Sequence, residues 1–461
     1  MARIPMTRIP WAQIPRARIL TARIFRPLPM LAACLLAGAC GSLTLQPNST
    51  KPLNGMDTTM GTYPTTNAAR YIIVTMTDTV HEQLVRGERI DKEAELPPLY
   101  ASFIGNLART YGLKRVADWP LNSIDIRCLV FEVLDTGKRD ATIAALAKEN
   151  FVETVQPVSD FFTGGNAVAA TADSNATGYD DPYSNMQPAL QMMQIAESHR
   201  WATGRGVRVA VVDTGMDVRH PELRERVTGV RNFVDRDSAA FNADVHGTAV
   251  AGVIAAPSNN GVGFVGVAPE AEIIGLKACW QLDGSSRARC NSFTLAKALN
   301  FAIDQQVDII NLSLGGPPDP LLARLIAKAL EREIVVIGAV HPDWSKGFPG
   351  AVEGVIAVSN AQAGDDDSIR PIRAPGDQIL SAKPNNDYDF YTGSSFAAAQ
   401  ISGVTALIRQ RKPHLSGEFV KELIAATSQD GRGTANACRA VARVVGDVSC
   451  QTATALQTSG R

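Results

Sequence analysis

The sequence predicts an α/β protein in which a parallel sheet carries helices on both faces, preceded by a small ferredoxin-like α+β domain. Three observations carry that expectation. Apolar, β-branched runs recur after residue 206: VRVAVVD (207–213), AEIIGLKA (271–278), VDIINLSL (307–314), EIVVIGAV (333–340) and GVIAVSN (354–360). Runs without a polar face belong to strands buried on both sides, as in parallel sheets. Helical spacing fills the intervals at 247–256, 292–306, 319–331 and 396–412, supplying the covering layers. Between residues 70 and 162 the rhythm differs, with strand-like and helical stretches interleaved at short intervals.

Along the chain, residues 1–40 read as an export signal. Residues 1–26 hold six Arg and no acid, and the first acidic residue is Asp57. PLPMLAACLLAGA (27–39) is apolar but too short to cross a bilayer as a helix. LAGAC, ending at Cys40, resembles a bacterial lipoprotein signal, in which that Cys becomes the lipidated N-terminus. Ala37 stands where such signals usually have Leu, and LAAC (31–34) matches better but leaves almost no apolar core ahead of it. A plain cleaved signal is the alternative. The first 25 residues also repeat every five, from Arg3-Ile4-Pro5 to Arg23-Ile24-Phe25, a pattern with no functional reading.

Residues 41–69, rich in Thr, Asn, Pro and Gly, form a linker. The domain at 70–162 is expected to hold strands at 70–76, 123–134 and 152–158 and helices at 98–112 and 140–149. A second linker at 163–183 is expected to contain a processing site. The sheet domain follows at 184–430, and a tail at 431–461.

Composition narrows the function classes. Of 461 residues, 45% are hydrophobic and 20% charged, which suits a soluble globular chain with a sizeable core. Net charge is -1, so no electrostatic footprint for nucleic acid exists. Of seven Cys, Cys34 and Cys40 fall in the signal and Cys128 stands alone. Cys279 with Cys290, and Cys438 with Cys450, are close pairs that read as local disulfides in an exported protein, although spacing leaves the connectivity open. No CxxC or HExxH spacing suggests a metal site.

Parallel sheets carry their sites at the carboxyl ends of the strands, where Asp213, Ser313 and Ala339 are placed. Asp213 closes VRVAVVD, His246 opens a helix in DVHGTAVAGVIAA, and Ser394 and Ser395 open another in YTGSSFAAAQISG. Each has an ordinary structural reading: a turn cap, a helix-start His, an N-cap Ser. Together they supply an acid, a base and a hydroxyl in an order used by one of the convergent serine triads. The residues alone leave both serines open as the nucleophile. GVGFVG (261–266) matches G-x-G-x-x-G but follows a helix and leads into a strand, the reverse of a nucleotide fingerprint.

VAVVDTGMDVRHPEL (209–223), HGTAVAGVIAA (246–256), DIINLSLGG (308–316) and GSSFAAAQISGVTALI (393–408) together resemble the subtilisin-like serine proteases, the subtilases. The resemblance spans roughly residues 184–427. It implies a subtilisin-like sheet and, by laying the family's Gly-Thr-Ser-Met-Ala-Ala-Pro box on residues 393–399, makes Ser395 the nucleophile. His246 would take its proton, and Asp213 would hold the imidazole in the useful tautomer. The domain at 70–162 would be an inhibitory propeptide that assists folding and leaves by self-cleavage; a permanent accessory domain is the alternative.

Further roles follow from the same resemblance. Ser313, Leu314, Gly315 and Gly316 would form an edge that pairs with extended substrate, with Gly284 and Ser285 on the opposite edge. Pro349 and Gly350 would wall the pocket for the residue before the scissile bond. Ala399 replaces the usual Pro, and Ala249 the usual His, neither a reacting group. The family's oxyanion Asn aligns with His341, so the expected oxyanion hole is His341 plus the Ser395 backbone N–H. A His can donate to an oxyanion, with a pH dependence near its own titration.

No cofactor is required. Family members often hold structural calcium, but no loop matches a ligand set. The expected partners are a protein or peptide substrate, the chain's own propeptide, and a membrane reached through a lipid on Cys40. The reading is an exported, lipid-anchored serine endopeptidase of the bacterial cell envelope, made as a self-processing zymogen. Its competitor is a subtilase-fold peptide-binding protein that no longer cuts. An esterase of another fold lacks its G-x-S-x-G elbow here.

Overall fold

The structure, a computed structural model, describes residues 67–77, 98–164, 166–167, 178–235, 237–282, 287–341, 346–361, 370–428 and 434–451. The export signal with Cys40, most of the first linker, and Gly284 and Ser285 lie outside the described residues.

The N-terminal domain runs β1 (Tyr71–Thr77), α1 (Pro98–Tyr111), β2 (Leu113–Leu121), β3 (Ile126–Val133), α2 (Arg139–Leu146) and β4 (Thr154–Pro157). Its strands pair antiparallel in the order β2-β3-β1-β4, the ferredoxin-like arrangement expected from the sequence. The sequence pattern missed β2, because LKRVADWPL is interrupted by charge and contains Pro120. As an edge strand, β2 needs neither a continuous apolar run nor every backbone donor.

Strand periodicity divides this sheet between two cores. Ile72, Val74 and Met76 face Tyr100, Ile104 and Leu146 of the domain's own helices. Ile73, with Cys128, Val130 and Trp119, instead joins a core shared with Phe293, Leu295 and Leu321 of the larger domain. One face of the small domain's sheet is therefore covered by its neighbour.

The larger domain is built on seven strands: β7 (Arg208–Asp213), β8 (Val227–Asn232), β9 (Glu272–Lys277), β12 (Ile309–Leu312), β14 (Val335–Ala339), β15 (Ile356–Asn360) and β16 (Ile372–Ala374). Their order is β16-β15-β14-β12-β7-β9-β8, and every pairing is parallel. Along β7, Val209 and Val211 enter one core while Ala210 and Val212 enter the other. The first core is covered by α3 (Val245–Ala255) and α6 (Ser394–Arg411), the second by α4 (Ser292–Asp304) and α5 (Pro320–Glu331). Both faces are thus covered, as the unbroken apolar runs require. Strands β7 and β12 lie side by side, and the chain leaves them toward opposite edges of the sheet, which opens a crevice beyond their carboxyl ends.

Two segments outside the expected strands are hairpins. Cys279 and Cys290 sit opposite one another in a hairpin of β10 (Cys279–Gln281) and β11 (Ala288–Asn291), and their sulfurs are bonded. Residues 379–392 form a second hairpin, β17 (Ile379–Lys383) and β18 (Asp387–Thr392). In the tail, Cys438, on a helix at Ala437–Val445, is bonded to Cys450. The start of the expected second linker is also strand: β5 (Asp160–Thr163) and β6 (Asn166–Ala167). Among the described residues no helix is long and apolar enough to cross a membrane.

Candidate active site

Asp213 ends β7 at the crevice and is fully buried. Its Oδ1 accepts the Thr214 N–H at 2.6 Å and lies 2.7 Å from His246 Nδ1. An ionised carboxylate only accepts, so Nδ1 carries the proton and Nε2 is left as the basic nitrogen. His246 is in the first turn of α3, 4% exposed, with its ring beside Phe396 of α6. Nε2 has no hydrogen-bond partner among the described residues.

Ser395 occupies the first turn of α6, behind Gly393 at the N-cap. First-turn amides have no intrahelical acceptor, so this end offers N–H groups and a favourable dipole to developing negative charge. The Ser395 hydroxyl donates to the Ser313 carbonyl at 3.0 Å rather than to His246. The Ser313 hydroxyl returns a bond to the Ser395 carbonyl at 2.9 Å. These reciprocal bonds clamp the Ser395 turn to the end of β12.

His341 follows β14 at the crevice. A side chain on Gly315 would meet its Cβ at 2.6 Å, so Gly315 is required for its ring to sit there. Pro349 lies close under Gly338, and Phe348 exchanges two 3.0 Å backbone bonds with Gly316. Leu314 and Gly315 form the short strand β13. Ser313 to Gly316, His341 and the 348–350 segment are thus neighbours; Gly350 is half-buried.

The crevice is filled by the chain itself. Strand β5 lies between β11 and β13, antiparallel to both, in a four-stranded sheet β10-β11-β5-β13. Strand β6 pairs with β18, immediately before Gly393. Polar bonds seat the small domain behind this strand. Asp319, the N-cap of α5, accepts from Gln156 at 2.8 Å and from Ser292 at 2.5 Å. Ser159 N–H donates to the Ser292 hydroxyl at 2.9 Å, Arg324 pairs with Glu153 at 2.5 Å, and Trp119 packs edge-on against Phe293.

Two clusters were not legible as site features. Asp244, the N-cap of α3, forms a buried ion pair with Lys277 and accepts the Gly215 N–H at 2.8 Å. Burial pushes its carboxyl up, with Lys277 pulling the other way. Lys277 ends β9 directly opposite Asp213, so the pair braces both catalytic candidates. The only sequence signal was an acid two residues before His246.

The second cluster surrounds Glu222, nine residues after Asp213 and fully buried. Its Oε1 accepts from Phe264 N–H, its Oε2 has no hydrogen-bond partner, and burial pushes its carboxyl up to about 7. Asp181, also buried, adds to the shift, while Asn260 and Tyr388 hydrogen-bond the carboxylate. Gly263 has no room for a Cβ, which would stand 1.8 Å from Glu222 Oε1. Among the described residues no three His, Cys, Asp or Glu side chains group to hold a metal ion.

An acid-held imidazole and a helix-borne serine at the carboxyl edge of a parallel sheet are what a serine peptidase needs, and comparison with known proteins gives the family. Residues 204–446 match the model of the Subtilase family, and the chain belongs to it. It is a subtilisin-like serine endopeptidase. It is 36% identical over 257 residues to the major intracellular serine protease of Bacillus subtilis strain 168, covering 50% of this chain and 79% of the relative. To thermitase of Thermoactinomyces vulgaris it is 32% identical over 240 residues, covering 50% and 84%. Among solved structures, fervidolysin from Fervidobacterium pennivorans, a keratinolytic enzyme related to subtilisin, aligns with a TM-score of 0.64 at 22% identity, covering 80% of this chain and 60% of that one. That similarity bears on the fold. The N-terminal domain lies outside the matched residues.

Proposed function

We propose that the chain is the zymogen of a serine endopeptidase that cleaves itself, with Asp213, His246 and Ser395 as its triad. The observation that carries this reading is the buried 2.7 Å contact of His246 with Asp213 beside a helix N-terminus bearing Ser395, in a crevice already holding an extended strand. Turning the Ser395 hydroxyl from the Ser313 carbonyl toward Nε2 delivers its proton to His246 as the oxygen attacks. Asp213 keeps Nδ1–H directed and stabilises the imidazolium. The Ser395 N–H and His341 receive the oxyanion. His246 then protonates the leaving amine, and water repeats the cycle on the acyl-enzyme. The domain at 70–162 acts as the intramolecular inhibitor, and its shared core and polar anchors support that role.

We also propose a structural cation, calcium by its preference for oxygen donors, at the buried carboxylate of Glu222. The unpartnered buried Glu222 Oε2 supports it. Bound there, the ion would neutralise Glu222 and brace the turn that follows Asp213. Export through residues 1–40, with lipidation at Cys40, rests on the signal-like sequence.

The test compares the full chain with Ser395→Ala after expression. A fragment the size of the N-terminal domain, released only by the unaltered chain, supports the zymogen. If both remain intact and neither hydrolyses peptides, the peptide-binding reading, favoured by His341 at the oxyanion position, replaces it.

A further inference from the structure

We infer that the Cys279–Cys290 disulfide positions the β11 edge of the crevice, and that a low-molecular-weight thiol which reduces it weakens the grip on extended chains while leaving the chemistry at Ser395 intact. The inference rests on the peptidase reading and adds a redox condition to it.

Alternate residues at this edge face the strand in the crevice. Ala288 N–H donates to the Thr163 hydroxyl at 3.0 Å, and Ser292 N–H donates to the Ser159 carbonyl at 3.0 Å. Cys290 stands midway between them, opposite Phe161. The alternation of an antiparallel ladder turns its backbone N–H and carbonyl to that same side. On the β10 side the bonded positions are the odd ones, since Leu282 N–H donates to the Arg287 carbonyl at 3.0 Å. Cys290 therefore faces Cys279 where the ladder has no backbone bond, and the sulfur bridge is what joins the strands there.

The bridge matters most when the crevice is empty. With β5 in place, the hairpin is half of a four-stranded sheet. Without β5, β10 and β11 are a two-stranded ribbon of three paired positions, a length that is marginal in water. The root of the ribbon is fixed on both sides. Ala278 N–H donates to the Asp213 carbonyl at 2.8 Å, and Asn291 caps α4 by accepting Thr294 N–H at 3.0 Å. Through the bridge, the residue that grips an extended chain is tied to the end of β9, beside Asp213. Asp213, His246 and Ser395 themselves stand on β7, α3 and α6, outside the hairpin. Loss of the bridge thus loosens binding and spares the triad.

Both cysteines are fully buried while β5 lies against β11, and the fully buried Phe161 stands opposite Cys290. Departure of β5 opens this edge, so the bridge is shielded in the zymogen and reducible in the processed enzyme. In the reduction, a thiolate attacks one bridge sulfur and a second thiol resolves the mixed disulfide. Two cysteine thiols form and the reductant's two thiols become one disulfide, so two electrons and two protons pass to the protein. The peptidase is thereby matched to oxidising surroundings.

The test treats the processed enzyme with dithiothreitol, maps the reduced cysteines by alkylation, and assays casein and p-nitrophenyl acetate. Casein must lie along the edges, whereas the ester reaches only Ser395. Reduction of the bridge should raise KM for casein about tenfold, with kcat and the ester rate held within about twofold. Cys279→Ala/Cys290→Ala should show the raised KM from the outset and no response to dithiothreitol; should it fail to fold, the reduced native enzyme decides. In the full-length Ser395→Ala chain the bridge should be reduced at least about tenfold more slowly than in the processed enzyme. An unchanged casein KM after mapped reduction, or equal losses on casein and ester, overturns the inference and leaves the peptidase standing. Equal reduction rates in the two proteins overturn the shielding. Absence of any Ser395-dependent hydrolysis of either substrate overturns both the inference and the peptidase reading.

Discussion

The two sides of the crevice are built differently. On the base side, Asp213 and His246 are already joined at 2.7 Å inside a closed core, braced by the Asp244–Lys277 pair. On the nucleophile side, Ser395 bonds to a backbone carbonyl and His341 faces the chain's own Gly164. The base side rests on a parallel strand and a helix packed into the core of the larger domain. The nucleophile side is made of edges, and edges need a strand to complete them. On the proposed triad, the acid–base pair is preorganised, while the serine's alignment is coupled to what lies in the crevice.

The largest effect should come from breaking the base side. Asp213→Asn keeps the shape but permits the wrong imidazole tautomer, and kcat in peptide hydrolysis should fall by about 10⁴. Normal activity in the variant would place the base elsewhere. Lys277→Ala leaves Asp244 buried with its ion-pair partner gone and should cost about 3–5 kcal/mol in denaturant unfolding. Measured on a Ser395→Ala background to prevent self-digestion, pairing it with Asp244→Asn should recover most of that loss. Simple additivity of the two variants would show that the pair does not couple.

On the nucleophile side, His341→Ala should lower kcat by about 10²–10³, the loss known for one oxyanion donor of a subtilisin. His341→Asn should restore the rate; equal rates for all three proteins would remove His341 from the oxyanion hole. The smallest effect concerns Glu222. Its carboxyl ionises at about 7 in the folded chain, pushed up by burial from the ordinary glutamate value of 4.5. The native state then binds more protons than the unfolded one between those values, so stability falls as pH rises through that window, by at most about 3 kcal/mol. Glu222→Gln should flatten the profile, as should calcium in the unaltered chain. A calcium effect unchanged in the variant would move the cation away from Glu222.

How much was legible follows from which contacts are local. Unbroken Val/Ile runs announced β7, β9, β12, β14 and β15 because a strand buried on both faces has no polar positions. The edge elements announced nothing: β2 carries charge and Pro120, and β5 straddles the expected boundary between the small domain and the linker. Asp213, His246 and Ser395 stood out because each closes or opens an element in a recognisable motif. Lys277 and Glu222 did not, since a buried charge becomes informative only when its partner is known.

By itself, the sequence determined five of the seven sheet strands and the covering helices, the alternation of strands and helices in the small domain apart from β2, and the chain order of acid, base and serine. All are set by side-chain periodicity and by turns within a few residues. The tertiary structure alone decided that residues 160–167 pass through the crevice, that Gly164 meets His341, and that Asp244 finds Lys277. Those pairings join residues up to 226 positions apart, as Thr392 does with Asn166. Such contacts follow from the register of strands and the packing of two domains, which no local pattern encodes.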